Sequence, residues 1–134
     1  TARMGMTYVR MGLIPGDGGA FYLPRIVGMA KALDLIWSGR MMDAQEALAI
    51  GYVSAVVPAD DLLDHTRAYA TKLAKGPAVA IQQAKRLAYR SQDVTLDAAL
   101  DLAGQAMFVA QSKEDAKEGP RSFAEKREPE FKGR

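Results

Sequence analysis

The stretch Val9-Arg-Met-Gly-Leu-Ile-Pro-Gly-Asp-Gly-Gly-Ala-Phe-Tyr-Leu-Pro-Arg-Ile-Val-Gly28 decides how the first part of the chain folds. Its centre, residues 12–19, cannot be the interior of a regular helix, because glycine loses the most backbone entropy and proline breaks the hydrogen-bond ladder. We expect a short extended segment near residues 2–6, followed by a tight loop. A short helix is expected from about Gly18, carrying Phe21, Tyr22 and Leu23.

The next segment has the apolar spacing of a helix that stops at Ser38-Gly39. Its apolar residues recur at intervals of three and four: Ala32, Leu33, Ile36 and Trp37. We expect Trp37 to anchor the core. Methionine adapts to irregular gaps, so we also expect core positions for most of the methionines. These are Met4, Met6, Met11, Met29, Met41 and Met42.

Capping residues and β-forming residues mark the following elements. Asp43 is expected to cap a short helix over residues 44–50, with Glu46 placed as in a capping box. Residues 52–57 are rich in β-forming side chains and predict a short strand that ends at Pro58.

Three apolar stripes predict helices over the rest of the chain, and Pro77 starts the second of them. The stripes comprise Leu62, Tyr69, Ala70 and Leu73; Ile81, Ala84, Leu87 and Ala88; and Leu96, Ala99, Leu100, Ala103, Met107 and Ala110. We therefore predict a mostly α fold with two short β-strands. Two strands do not make an independently stable sheet, so their partners are expected from outside this chain.

The composition excludes several kinds of chemistry and partner. The 134 residues include no cysteine, which excludes disulfides, thiol nucleophiles and cysteine-based metal sites. The single histidine, His65, is expected on the solvated surface, and we predict no metal site. A net charge of +2 argues against nucleic acid or a membrane as the main partner. No apolar run approaches the ~20 residues of a membrane span, and we expect a soluble, cytoplasmic protein.

The glycine-rich loop is the first candidate for chemistry. Residues 15–19 precede a helix, where backbone amides can receive an anion or a developing oxyanion. They do not match a nucleotide-binding fingerprint. Two interpretations stay open: a tight turn in which Asp17 caps the helix, or a loop in which Asp17 or the backbone beside it faces a substrate.

The charged segment 113–127 is the second candidate. Its cations and anions are interleaved, which is typical of a solvated helix. Phe123 and Lys126 lie three residues apart, on one predicted helical face, with Arg127 beside them. An aromatic ring next to cations can stack on a base and hold phosphates, so binding the nucleotide end of a cofactor is the alternative.

Further motifs follow residues 9–28 in a fixed order. They are Ser38-Gly-Arg40, Asp43-Ala-Gln-Glu-Ala47, Gly51-Tyr-Val53, Val56-Val-Pro-Ala-Asp60, Leu73-Ala-Lys-Gly-Pro77, Lys85, Glu118-Gly119, Phe123-Ala-Glu-Lys-Arg127, Pro129 and Phe131-Lys-Gly133. With this set the chain resembles, over essentially its whole length, the C-terminal half of the crotonase (enoyl-CoA hydratase/isomerase) superfamily. The chain also begins at Thr1 without an initiator methionine, and we expect it to be the remainder of a longer protein.

The resemblance implies the crotonase-like α/β fold, a spiral of ββα units followed by a helical region that forms trimers, often paired into hexamers. Residues 1–57 then correspond to the C-terminal end of the crotonase core. Residues 58–134 correspond to the helical trimerisation and CoA-binding region. The family's two oxyanion-hole amides come from segments upstream of Thr1, so this chain alone is expected to be inactive.

The resemblance also assigns candidate site residues. Tyr8 takes the position of the second catalytic glutamate of family hydratases, and Asp17 lies next to a loop position, Gly16, where several relatives place a catalytic aspartate. The acyl-binding positions are Leu13, Ile14, Pro15 and Gly16, and the positions that contact the adenine and phosphates of CoA are Phe123 and Lys126. Tyrosine is a poor general base at neutral pH, so hydration by two glutamates is not expected.

The implied function is that of an enzyme acting on an acyl-CoA thioester. It hydrates or isomerises a double bond through a stabilised enolate, and CoA enters as part of the substrate without a separate cofactor. The alternative is a non-catalytic helical module that oligomerises or binds CoA. The expected partners are an acyl-CoA and further copies of the chain, as a trimer or dimer of trimers. Taken alone, the chain is expected to be oligomeric or aggregation-prone, because sheet edges and helix faces stay uncovered.

Overall fold

The computed structural model, which describes residues 1–134, places the glycine-rich loop between a 3₁₀ helix (Thr7–Met11) and the helix α1 (Gly19–Val27). Both belong to the first of two compact units, Thr1–Leu62, and the second unit is Leu63–Arg134. The other elements of the first unit are β1 (Arg3–Gly5), α2 (Met29–Ser38), β2 (Met41–Asp43), α3 (Ala44–Ala49) and a second 3₁₀ helix (Ala59–Asp61).

The core of the first unit forms where the strands meet the helices. The strands β1 and β2 pair antiparallel, with Met4 opposite Met42. Five apolar side chains are buried there: Leu23, Ala32, Leu35, Met42 and Ala47. They come from α1, α2, β2 and α3, so a small core fixes the helices behind the glycine-rich loop.

Polar contacts join the elements around β2. The Asp43 side chain accepts a hydrogen bond from the Glu46 amide at 2.8 Å, which confirms the predicted cap of α3. The Glu46 carboxylate accepts hydrogen bonds from Arg40 at 2.6 and 2.9 Å, and Arg40 also donates to Asp34 on α2 at 3.0 Å. Arg40 thereby links α2 to α3 across the strand.

The second unit is built from helices alone. They are α4 (Leu62–Ala74), α5 (Ala78–Arg90), a third 3₁₀ helix (Ser91–Asp93), α6 (Leu96–Gln111) and α7 (Asp115–Ala124). Thr95 caps α6 by accepting a hydrogen bond from the Ala98 amide at 3.4 Å. The buried side chains of this unit are polar, Asp115 and Ser122, and no apolar side chain of the unit is buried.

The prediction of a mostly helical chain with two short strands is confirmed, but the prediction of a strand over residues 52–57 is wrong. The second strand is β2 instead. The amides of Tyr52 and Val53 donate to the Ala47 carbonyl at 2.8 and 3.2 Å, and so close the end of α3. Amides used in this way are not available for a strand ladder.

The prediction that Trp37 anchors the core is also wrong, since its side chain is 69% exposed. Trp37 lies two positions after the buried Leu35, which on an α-helix is a rotation of about 200°. The prediction of core positions for the methionines is correct for only some of them. Met42 is buried and Met4 and Met6 pack against the core, whereas Met11 and Met29 are exposed.

None of the helices combines the length and the apolar character that crossing a bilayer would require.

Candidate functional site

Two glycines in the left-handed region shape the loop that precedes α1. Gly12, with φ of 70°, ends the first 3₁₀ helix, and Gly18, with φ of 97°, stands at the start of α1. A Cβ atom on Gly18 would lie 3.0 Å from the Tyr22 ring, so the ring would have to shift to admit a side chain there. The loop therefore brings Asp17 to the start of α1 by a route that depends on glycine.

Asp17 makes one contact with each of two elements. Its Oδ2 accepts a hydrogen bond from the Tyr8 hydroxyl, and its Oδ1 accepts one from the Gly19 amide at 3.2 Å. The contact with Gly19 is the one expected of a turn at a helix start. The contact with Tyr8 brings the two predicted catalytic residues together. The two interpretations of the loop are compatible, because each uses a different carboxylate oxygen.

The Tyr8–Asp17 contact shifts the pKa of both groups. The hydrogen bond from Tyr8, followed by that from the Gly19 amide, lowers the pKa of Asp17. The same hydrogen bond and the negative charge of Asp17 raise the pKa of Tyr8. At neutral pH the pair therefore consists of an ionised carboxylate and a protonated phenol, so Asp17 is the member that can accept a proton.

The predicted acyl-binding residues, which directly precede Asp17 in the sequence, include exposed apolar side chains. Leu13 is 55% and Ile14 80% exposed, whereas Pro15 is buried. The Gly16 amide donates to the Ile14 carbonyl at 2.8 Å, which folds the loop tightly around Pro15. The loop thus offers solvent-facing aliphatic side chains and a proton acceptor within five residues, 13–17.

The predicted placement of Phe123 and Lys126 on one helical face is wrong, because α7 ends at Ala124. Lys126 is left-handed, with φ of 52°. The Arg127 amide donates to the Ser122 carbonyl at 3.1 Å and the Lys126 amide to the Phe123 carbonyl at 3.2 Å. This is the pattern of a Schellman motif, which terminates the helix between the two predicted residues. Phe123 is 87% exposed.

Arg127, the cation predicted to stand beside them, is held by carboxylates. It donates to Glu118 at 2.5 Å and to Glu125 at 2.6 Å. The Arg127 guanidinium, together with the Glu130 amide, lowers the pKa of Glu118 to about 2. The charge of Arg127 is therefore matched within the chain.

Sequence reasoning missed how the last residues are attached. The buried carboxylate of Asp115 accepts hydrogen bonds from the amides of Lys132 and Gly133, at 2.7 and 2.8 Å. Glu118 accepts one from the Glu130 amide at 2.9 Å. Partners separated by 12 to 18 positions leave no local pattern that would have indicated these contacts.

His65 is exposed on α4, in agreement with its predicted position. No group of three or more histidine, aspartate or glutamate side chains is placed to hold a metal ion.

Comparison with protein-family models matches residues 1–134 to the enoyl-CoA hydratase/isomerase family. Among curated proteins, the chain is 44% identical over 131 residues to a probable enoyl-CoA hydratase of Mycobacterium bovis, covering 98% of this chain and 51% of that protein. It is 38% identical over 133 residues to the 2,3-dehydroadipyl-CoA hydratase of Escherichia coli, covering 99% and 52%.

Solved structures are similar as well. The enoyl-CoA hydratase of Bacillus anthracis superposes with a TM-score of 0.95 at 36% identity, covering all of this chain and 52% of that one. The chain spans about half the length of the relatives that it matches.

Proposed function

Because the chain belongs to the enoyl-CoA hydratase/isomerase family, we propose that the protein acts on an acyl-CoA thioester by hydrating or moving a carbon–carbon double bond. The observation that carries this proposal is the Tyr8–Asp17 pair, an ionised carboxylate next to a loop with exposed aliphatic side chains. A carboxylate of this kind can remove a proton from carbon, provided that the resulting enolate is stabilised elsewhere.

We infer that this chain supplies the C-terminal half of the enzyme. The match to about half the length of each relative supports an assignment to one half of the enzyme. The resemblance of residues 9–28 to the second half of family members supports the C-terminal one. On this proposal the amides that stabilise the enolate oxygen come from the upstream half. The 134-residue chain by itself is then inactive.

The acyl part of the substrate is proposed to lie against Leu13 and Ile14, next to the loop formed by Pro15 and Gly16. The nucleotide part of CoA is proposed to contact Phe123 and Lys126, since an exposed ring can stack on adenine and an ammonium group can hold a phosphate. The second unit is proposed to join copies of the protein into a trimer or a dimer of trimers, and the protein is proposed to work in the cytoplasm.

The test is the substitution Asp17→Asn in the full-length protein, assayed for hydration and isomerisation of enoyl-CoA substrates. Removing the proton acceptor is expected to lower kcat by about 100-fold or more. A change of less than about threefold would mean that Asp17 is not catalytic and serves only to cap the helix through its contact with the Gly19 amide.

A non-catalytic module is the second candidate, favoured by the tyrosine at position 8. It predicts that CoA binds and copies associate, while the full-length protein turns over no enoyl-CoA. Calorimetric titration with CoA alongside the activity assay distinguishes the two functions.

A further inference from the structure

We propose that Tyr8 is a positioning residue for Asp17: its hydroxyl aims the carboxylate and does not itself exchange a proton with the substrate. This inference rests on the proposed function and gives Tyr8 and Asp17 different roles.

The geometry gives each oxygen of Asp17 a fixed donor. Oδ1 is held by the Gly19 amide at the start of α1, and Oδ2 by the Tyr8 hydroxyl from the first 3₁₀ helix. The carboxylate is thereby fixed between two elements, although it lies on the surface. A rigidly held acceptor is what proton abstraction from carbon requires, because small misplacements of a reacting group are costly.

The pKa shifts of the two groups also indicate that Tyr8 is the hydrogen-bond donor and Asp17 the acceptor. Tyr8 and backbone amides are the groups that lower the pKa of Asp17, and no lysine, arginine or histidine contributes to that shift. Because the negative carboxylate raises the pKa of Tyr8, the phenol holds its proton more tightly than a solvated tyrosine does. A phenol in this state donates a hydrogen bond and is a poor base.

Within the proposed reaction, the proton moves between the Asp17 carboxylate and the substrate. The Asp17 carboxylate takes a proton from a carbon of the acyl chain, and the electron pair of that C–H bond passes to the thioester as an enolate. The carboxylic acid then returns a proton to carbon. The Tyr8 hydroxyl keeps its proton throughout and only donates a hydrogen bond to the carboxylate.

The experiment compares Tyr8→Phe with Tyr22→Phe, which removes the hydroxyl of a neighbouring ring that packs against the same loop. Carbodiimide coupling of glycine ethyl ester to Asp17, a reaction of the protonated carboxyl group, is followed against pH in the full-length protein. Site-resolved mass spectrometry measures its extent. Tyr8→Phe is expected to move the labelling midpoint of Asp17 to higher pH, because the donor that lowers its pKa is gone. Tyr22→Phe is expected to leave the midpoint in place.

The kinetic readout is the pH profile of kcat/KM. Tyr8→Phe is expected to retain activity, with kcat about tenfold lower and the acidic limb displaced to higher pH. An unmoved labelling midpoint overturns the proposal, and so does a loss of activity in Tyr8→Phe as large as that in Asp17→Asn. The labelling needs no substrate, so an enzyme that fails to turn over enoyl-CoA would disprove the proposed function while the role of Tyr8 is still decided.

Discussion

At the scale of single residues, Gly18 decides whether Asp17 reaches its position. Its φ of 97° is strained for any residue with a side chain, and an added Cβ would press on the Tyr22 ring at 3.0 Å. Gly18→Ala is therefore expected to lower the free energy of unfolding by about 1–2 kcal/mol. Gly12→Ala is the matched control, since Gly12 has a φ of 70° but nothing lies within 4 Å of an added Cβ. It is expected to lower the free energy of unfolding by about 1 kcal/mol, which is the cost of the left-handed backbone alone.

Urea unfolding of the full-length protein, followed by circular dichroism, measures both Gly18→Ala and Gly12→Ala. Equal effects of the two substitutions would show that the Tyr22 ring gives way to a side chain at position 18. A selective loss of activity in Gly18→Ala, beyond its loss of stability, would connect the loop conformation to the placement of Asp17.

At the scale of elements, the turn after α7 is held by the ion pair of Glu118 and Arg127. The pKa of Glu118 is lowered to about 2, so its contribution to stability is present above the ordinary glutamate pKa of 4.5 and is lost as the pH falls through about 2. The Glu130 amide, which donates to Glu118, reports this contact directly. We expect hydrogen exchange at this amide to stay slow at pH 4.5 and to accelerate as the pH approaches 2, relative to its unstructured rate.

Glu118→Gln is expected to remove the acid dependence of exchange at the Glu130 amide. Glu114→Gln is the control, since the Glu114 carboxylate lies 3.4 Å from the Arg134 side chain and both side chains are exposed. An exchange profile that is the same in Glu118→Gln and in the unsubstituted protein would contradict the assigned role of the ion pair.

The elements also show what the sequence can predict and why. Helices with a clear period, such as α2 and α6, were predicted because a repeat of three and four residues is a local property. The loop at residues 12–19 was predicted for the same reason. Residues 52–57 look like a strand by composition, yet the amides of Tyr52 and Val53 close α3. Which amide finds a partner in a ladder depends on the rest of the sheet, and local composition does not contain that information.

The candidate site, like the fold, could be predicted only in part from the sequence. The sequence indicates Tyr8 and Asp17 as candidate residues. It does not predict the hydrogen bond between them, because that contact depends on how the first 3₁₀ helix and the loop fold back on each other. The position of Lys126 was missed because a helix end is set by one left-handed residue, and lysine is not a usual choice for that conformation.

At the scale of the whole molecule, the exposed apolar surface predicts association. The helix α6 alone exposes Leu96, Leu100, Met107 and Phe108, and no apolar side chain of the second unit is buried. Large exposed apolar patches mark interaction surfaces, and each buried Å² of apolar area contributes about 25 cal/mol. We therefore expect the 134-residue chain to self-associate at micromolar concentration in analytical ultracentrifugation. A monodisperse monomer would contradict this.

The apolar face of α6 is tested by Leu100→Glu against Gln105→Glu. Both substitutions add one negative charge to the same exposed helix, and only the first removes apolar area. If burial of apolar surface drives association, Leu100→Glu shifts the sedimenting species toward monomer and Gln105→Glu leaves them nearly unchanged. Equal shifts would mean that charge repulsion, which salt screens, explains the effect. Repeating the comparison at 0.05 and about 0.5 M salt separates the two causes, because a loss of apolar contact persists when charges are screened.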